Sequence, residues 1–206
     1  MKRDRKEEIL QKSLELFSHQ GYEGVSMRDI ASALGIRQSS LYKHYESKQA
    51  ILDSIVERMN AETQRQKAQM GFPTGGMEAM AQGYSQRTLA TMVELGERLY
   101  RYWTEDAFAG SFRRLLTLEQ YRSEGTSRLY HQYLIQGVLD YNTVLFTMMV
   151  ARGYFRQGNP RLMAMEFYGP IFLLMCAYDH ADKREELVLQ VRSHIEHFGQ
   201  RWGTEE

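Results

Sequence analysis

The chain has 206 residues, enough for one large domain or for a small domain with a medium one, and enough to bury a sizeable core. Its 26 basic residues balance 26 acidic ones, which excludes a protein that grips a polyanion by bulk charge; any nucleic-acid contact must come from a local basic patch. A single cysteine, Cys176, excludes a disulfide framework within the chain, points to a reducing compartment, and sits in an apolar run where burial is expected.

Met1-Lys2-Arg3-Asp4 leads into an amphipathic segment rather than an apolar one, so no signal peptide is expected. No apolar stretch approaches the roughly 20 residues of a membrane span, and a soluble, cytoplasmic protein is the expectation. Three prolines and the lack of a sustained alternating pattern predict an all-α chain.

Taken in order, residues 4–20 predict a first helix, with Ile9, Leu10, Ser13, Leu14, Leu16 and Phe17 on its buried stripe and Gly21 at its end. Ser26 predicts an N-cap, with Asp29 at the capping-box spacing. Met27, Ile30, Ala31 and Leu34 then give one apolar face, and Gly35 stops the helix because glycine enters the left-handed conformation cheaply. Gln38 to Tyr45 predicts a second short helix with Leu41 and Tyr45 facing inward. Gln38, Ser39, Tyr42 and Lys43 face outward, with Arg37 and His44 at the ends. Amides, hydroxyls and cations on a short exposed helix are what base edges and phosphates require.

Ser47 predicts the N-cap of a fourth helix running to about residue 69, with Ile51, Leu52, Ile55, Val56 and Met59 on its inner face. Gly71 to Gly76 is a loop whose glycine spacing begins like a phosphate-binding loop, but Met77-Glu78 stand where Lys and Ser/Thr are required. Residues 77–103 predict one helix bent near Gly96, and residues 105–121 one or two shorter helices. Gly125 is expected to break the pattern, and residues 126–152 predict one long helix ended by Gly153. Asn159-Pro160 marks a helix start. Ile171 to Tyr178 is apolar all round, with Pro170 expected to kink that helix. Asp182 is the expected cap of a last helix carrying Leu187, Val188, Val191, Ile195 and Phe198. Two adjacent C-terminal helices with so much apolar surface suit a four-helix dimer interface, two helices from each copy.

No zinc-finger spacing, nucleophile elbow or Cys/His cluster appears. His194 and His197 lack a third ligand at fixed spacing, so no metal and no cofactor are expected. Tyr84, Trp103, Tyr130, Tyr133 and Met148 belong to an aromatic and methionine-rich set, with Tyr100, Tyr102 and Tyr141, in the central helices. Singly each reads as core; together they suit a pliable apolar pocket with hydroxyl handles. Arg98, Arg113 or Glu119 would fix a polar end of such a ligand. Lys2, Arg3, Arg5 and Lys6 are either phosphate-seeking cations or an ordinary solvated helix start.

Gly21-Tyr22, Ser26-Met27-Arg28-Asp29-Ile30-Ala31, Gly35-Ile36, and Leu41-Tyr42-Lys43-His44-Tyr45 with Lys48 resemble the TetR/AcrR family of transcriptional repressors over about the first quarter of the chain. The resemblance implies a helix-turn-helix DNA-binding domain over residues 1–46 and a helical effector-binding and dimerisation domain over residues 47–206. It implies a homodimer through the last two helices that binds a palindromic double-stranded operator and answers to a small molecule. Arg28, Arg37, Gln38 and Ser39 are the expected base-edge or groove contacts. Ser26, Ser40, Tyr42, Lys43, His44 and Lys48 are the expected phosphate contacts. A constitutive, ligand-free DNA-binding protein and a small all-helical enzyme remain the alternatives.

Overall fold

The structure is a computed structural model and describes residues 5–69, 71 and 75–204. Lys2, Arg3 and most of the predicted loop, Phe72 to Thr74, lie outside the described residues. Eleven helices occur among the described residues: α1 (Arg5–Gln20), α2 (Met27–Ala33), α3 (Gln38–Tyr42), α4 (Lys48–Gln69), α5 (Met77–Ser85), α6 (Leu89–Glu105), α7 (Ala107–Glu119), α8 (Glu124–Leu134), α9 (Gln136–Ala151), α10 (Pro160–Tyr178) and α11 (Arg184–Trp202). The fold is all-α, as its sequence pattern predicts. Two compact units form, one from residues 1–66 and 107–130, the other from 67–106 and 131–206.

In the first unit, α1 packs on α2 and α7, and α2 on α3. Ile9, Leu14, Phe17, Ile30, Leu41, Ile51, Ile55, Phe112, Leu115 and Leu116 are almost wholly removed from solvent. Each such side chain contributes about 1.5–3 kcal/mol on burial. Arg58 on α4 ties three helices. Its guanidinium lies 4.6 Å from the centre of the Phe108 ring on α7, and it pairs with Glu7 on α1.

In the second unit, α9 packs on α5 and α10, and α6 on α11. Gly96 lies inside α6; a Cβ there would run into Ile195 of α11, so glycine permits the close approach. The Tyr100 hydroxyl donates to Leu174 O at 3.0 Å, and the Tyr168 hydroxyl to Leu134 O at 2.7 Å, so both buried tyrosines keep a polar partner. Phe146, Phe155, Phe167 and Phe198 form one aromatic cluster. Beside it the Trp202 indole donates to Glu166 at 3.2 Å.

Four expected boundaries move, each for a local reason. Residues 77–103 are two helices, because Thr88 caps α6 by accepting from Thr91 N at 3.2 Å. The expected long helix over 126–152 is interrupted at Ile135, whose backbone is non-helical; a Cβ on Gly137 would strike the Gln132 carbonyl, so that glycine allows the tightened path. Gly125 lies inside α8, which Ser123 starts by accepting from Thr126 N at 3.1 Å. Asp182 does not cap α11; Lys183 holds that position without a side-chain capping bond. α10 continues through Pro170.

Residues 124–151 are long and apolar enough to cross a membrane by length and composition, contrary to expectation. The break at Ile135 and the buried faces of Leu145, Phe146 and Met149 fit a packed core element instead. Cys176 is exposed rather than buried. It shares one face of α10 with Leu162, Met165, Gly169 and Leu173, all exposed, while Met163, Ala164, Tyr168, Met175 and Tyr178 are buried.

Candidate nucleic-acid interface

The turn between α2 and α3 is fixed by the backbone it must satisfy. The Ser26 hydroxyl accepts from Asp29 N at 3.2 Å, and the Asp29 carboxylate accepts from Ser26 N at 2.9 Å, a complete capping box. The Ser26 hydroxyl also donates to that carboxylate at 2.6 Å, and these two bonds, the hydroxyl first, hold the Asp29 carboxyl below its ordinary value. At the other end Gly35, with φ +65°, donates to Ser32 O at 3.0 Å, and Ile36 N donates to Ala31 O at 3.0 Å. That pairing is a Schellman motif, and it aims the chain into α3.

α3 buries Leu41, and Tyr45 follows it into the core. Its remaining face is the one expected from sequence: Arg37, Gln38, Ser39, Tyr42, Lys43 and His44 are exposed and Ser40 is half-buried. Arg28 is exposed on α2. Among the described residues, the side chains of Arg28, Arg37, Gln38, Ser39, Tyr42, Lys43 and His44 are in no hydrogen bond or ion pair. Their donors and acceptors are therefore free for a ligand. A shallow concavity of about 370 Å³ opens at the end of α3, where Lys6 joins Tyr42, Lys43, His44 and Glu46. Lys6 is placed there by Tyr45, whose hydroxyl donates to Lys6 O at 3.4 Å and whose ring lies 5.2 Å from the ammonium. Arg5, by contrast, pairs with Glu8 at 2.7 Å.

Two expected contact residues are already committed within the chain. Ser26 serves the cap. Lys48 is half-buried; its ammonium donates to Tyr22 O at 2.7 Å, sits 4.1 Å above the Tyr22 ring and lies 3.6 Å from Glu23. An ammonium carries three protons, so such a lysine holds the protein with part of its capacity and retains donors for another acceptor. The Tyr22 hydroxyl donates to Gln49 at 3.2 Å. Burial, then the charges of Glu23 and Asp53, push its pKa up to about 12, so it stays a neutral donor.

Of the expected pocket residues, Tyr84, Trp103, Tyr133 and Met148 fall in the second unit and Tyr130 in the first. The buried Tyr84 hydroxyl lies 3.4 Å from that of Tyr141, and burial raises the pKa of both, as it does for Tyr133. Trp103 packs edge-on against Tyr102, with centroids 5.8 Å apart. Met148 is half-buried. Arg98 is exposed, and Arg113 and Glu119 belong to the first unit. The expectation that Glu119 fixes a ligand fails for a physical reason. Its carboxylate is buried and engaged, accepting from Tyr22 N at 2.9 Å and from Arg122 at 3.0 Å. No nearby residue in the sequence announces that contact, which spans 97 positions.

Residues 9–55 match the family described as "Bacterial regulatory proteins, tetR family". The class C tetracycline repressor protein of Escherichia coli is 37% identical over 59 residues, which make up 29% of this chain and 27% of that protein. The chain thus spans little more than a quarter of that relative's length. Among solved structures, the fatty acid degradation regulator FadR from Bacillus halodurans aligns with a TM-score of 0.64 at 18% identity, covering 96% of each chain. SmeT of Stenotrophomonas maltophilia, in its complex with triclosan, aligns with a TM-score of 0.68 at 14% identity, covering 97% of this chain and 92% of that one. These structural likenesses speak to the fold. The matched residues include the capping box, the Schellman turn and the exposed face of α3, so over residues 9–55 the chain is similar to the tetR family of bacterial regulatory proteins.

Proposed function

We propose that the protein is a cytoplasmic transcriptional regulator that binds a palindromic operator as a homodimer and is released by a small, largely apolar effector. The observation that carries this reading is the exposed, uncommitted polar face of α3, presented on a helix-turn-helix locked at both ends. Residues 1–46 serve as the DNA-reading domain, and residues 47–206 as the effector-binding and dimerising one. Arg28, Arg37, Gln38 and Ser39 read base edges. Tyr42, Lys43, His44, Ser40, Lys48 and, at the cap, Ser26 meet phosphates. Lys6 adds a further cation at the concavity beside Lys43.

The exposed apolar face of α10, with Leu189 of α11, supports pairing of two copies. Within the second unit, Tyr84, Trp103, Tyr133 and Met148 are the proposed effector contacts. SmeT is described as the repressor of a multidrug efflux pump and is seen with triclosan, and the tetracycline repressor is a repressor by name. These relatives favour repression and an apolar effector here.

Selection from a random duplex pool tests the reading. A palindromic consensus, bound with two protomers per site and weakened by salt, is the expected result. A protein that enriches no sequence overturns it. A thermal-shift panel of amphipathic aromatic compounds tests the effector. A hit at ~100 times its dissociation constant adds about 2.7 kcal/mol of stability. It should release operator by roughly 5–150-fold if the coupling is about 1–3 kcal/mol. Hits that stabilise the protein yet leave operator affinity unchanged would favour the constitutive, ligand-free alternative.

A further inference from the structure

α1 ends at Gly21, whose N–H still bonds Phe17 O at 3.0 Å. The next donor, Tyr22 N–H, is met by the Glu119 carboxylate of α7 at 2.9 Å. Gly21 makes this approach possible twice over. Its φ is +78°, and a Cβ there would lie 2.7 Å from the Glu119 carboxylate and 2.5 Å from the Arg122 guanidinium. Glu119 is itself pinned. It is 1% exposed, its carboxylate accepts from Arg122, and its main-chain carbonyl accepts from the Thr126 hydroxyl at 2.9 Å at the start of α8.

The other end of the same residue faces α4. Tyr22 O accepts from the Lys48 ammonium at 2.7 Å, while the Tyr22 ring lies under that ammonium. Tyr22 is therefore gripped through both backbone groups, by an anion from α7 and by a cation from α4. Lys48 follows α3 by six residues and is one of the proposed phosphate contacts.

We infer that Glu119 is a positioning residue for DNA binding: through Tyr22 it sets where Lys48 points, and so makes operator affinity depend on the placement of α7. The inference rests on the proposed DNA-binding function. A buried staple that merely stabilises the fold would lower the melting temperature without any special relation to Lys48. A positioning residue must act through it.

The test combines Glu119→Ala, Glu119→Gln, Lys48→Ala and the Glu119→Ala/Lys48→Ala double variant of the full chain, using the selected operator as probe. Wild-type binding is the control; if wild-type protein binds no duplex, the proposed function and this inference fall together. With wild-type binding in place, Glu119→Ala should weaken the operator about tenfold and reduce the salt slope by about one, the loss of one phosphate contact. The double variant should be no weaker than Lys48→Ala alone. Glu119→Gln keeps a carbonyl oxygen for Tyr22 N–H and should restore most of the affinity and slope. If Glu119→Ala does not fold, Glu119→Gln and Arg122→Ala carry the test. The first should retain slow exchange of the Tyr22 amide and near-wild-type affinity; the second should lose part of both together. Wild-type affinity in Glu119→Ala, losses that add to those of Lys48→Ala, or amide protection that changes while affinity does not, would each overturn the inference.

Discussion

The outer face of α3 and the outer face of α10 are both exposed, yet their chemistry is opposite. α3 presents an amide, hydroxyls and a cation at Gln38, Ser39, Tyr42 and Lys43. α10 presents Leu162, Met165 and Leu173 at 52–68% exposure. The first surface loses little by staying in water, because its groups are hydrated there and wait for a polar, charged partner. The second is costly to leave wet, at roughly 25 cal/mol per Å² of apolar area, and calls for an apolar partner. The supports differ in kind too. α3 has only five residues, lacks a side-chain cap of its own and owes its place to the Schellman turn before it and to buried Leu41, whereas α10 has 19 and owes its place to packing.

The largest effect should come from making the α10 face resemble the α3 face. Leu173→Asp, at a position 68% exposed in the single chain, should leave the subunit folded but place an uncompensated charge in the proposed dimer interface. A cost of about 3–5 kcal/mol, or roughly two to four powers of ten in the dimer dissociation constant, is expected. Sedimentation at several concentrations reads it; an unchanged oligomeric state would remove α10 from the interface.

The next effect belongs to α3. Gln38→Ala should cost about 1–3 kcal/mol, concentrated at one base position, if Gln38 pairs with an adenine edge. Repeating the duplex selection with the variant checks this, and an unaltered preference profile would take Gln38 out of base reading. Ser26→Ala, which removes the cap but no exposed reading group, should cost about 1 kcal/mol of stability in a denaturant titration. It should weaken all operators alike.

The smallest effect concerns a third kind of surface, where charges satisfy one another. Arg101 on α6 donates to Glu97 at 3.1 Å and Glu105 at 2.7 Å, and forks onto Glu185 of α11 at 2.9 and 2.7 Å. Arg192 also donates to Glu97. The Arg192 bond, opposed by burial and helped by Arg101, holds the Glu97 carboxyl below its ordinary 4.5. The Arg101 bond does the same for Glu185. Both folded pKa values are depressed, so the stabilisation is complete above pH 4.5 and is lost as pH falls through the folded values. Arg101→Met should therefore flatten the fall in melting temperature on the acid side while changing little on the alkaline side. Parallel pH profiles would remove this network from the acid response.

What the sequence disclosed follows from the range of the forces concerned. The Ser26–Asp29 box, the Gly35 stop, the Ser47 cap and the Asn159-Pro160 start are all legible, because each satisfies backbone groups within five residues. The face of α3 is legible because helical periodicity assigns inside and outside. The interruption at Ile135 is not, since apolar spacing runs through it undisturbed, and the close approach of the Gln132 carbonyl that glycine at 137 admits leaves no mark in that spacing. Nor is the engagement of Lys48 by Tyr22, or of Tyr22 by Glu119. A lysine and a glutamate in a list of charged residues carry no mark of which distant carbonyl or amide will claim them.

Both tryptophans, Trp103 and Trp202, belong to the second unit and stand in different surroundings, one against the Tyr102 ring and one donating to the Glu166 carboxylate. Excitation at the red edge of the indole band therefore illuminates that unit alone. A Trp202→Phe protein would carry a single fluorophore among the proposed effector contacts. Emission from Trp103 would then follow effector titration optically, while operator occupancy is followed separately by a label on the DNA. Adding unlabelled operator to such a sample, and watching whether the indole spectrum moves, would reveal the coupling from the opposite direction with no change to any residue of α3.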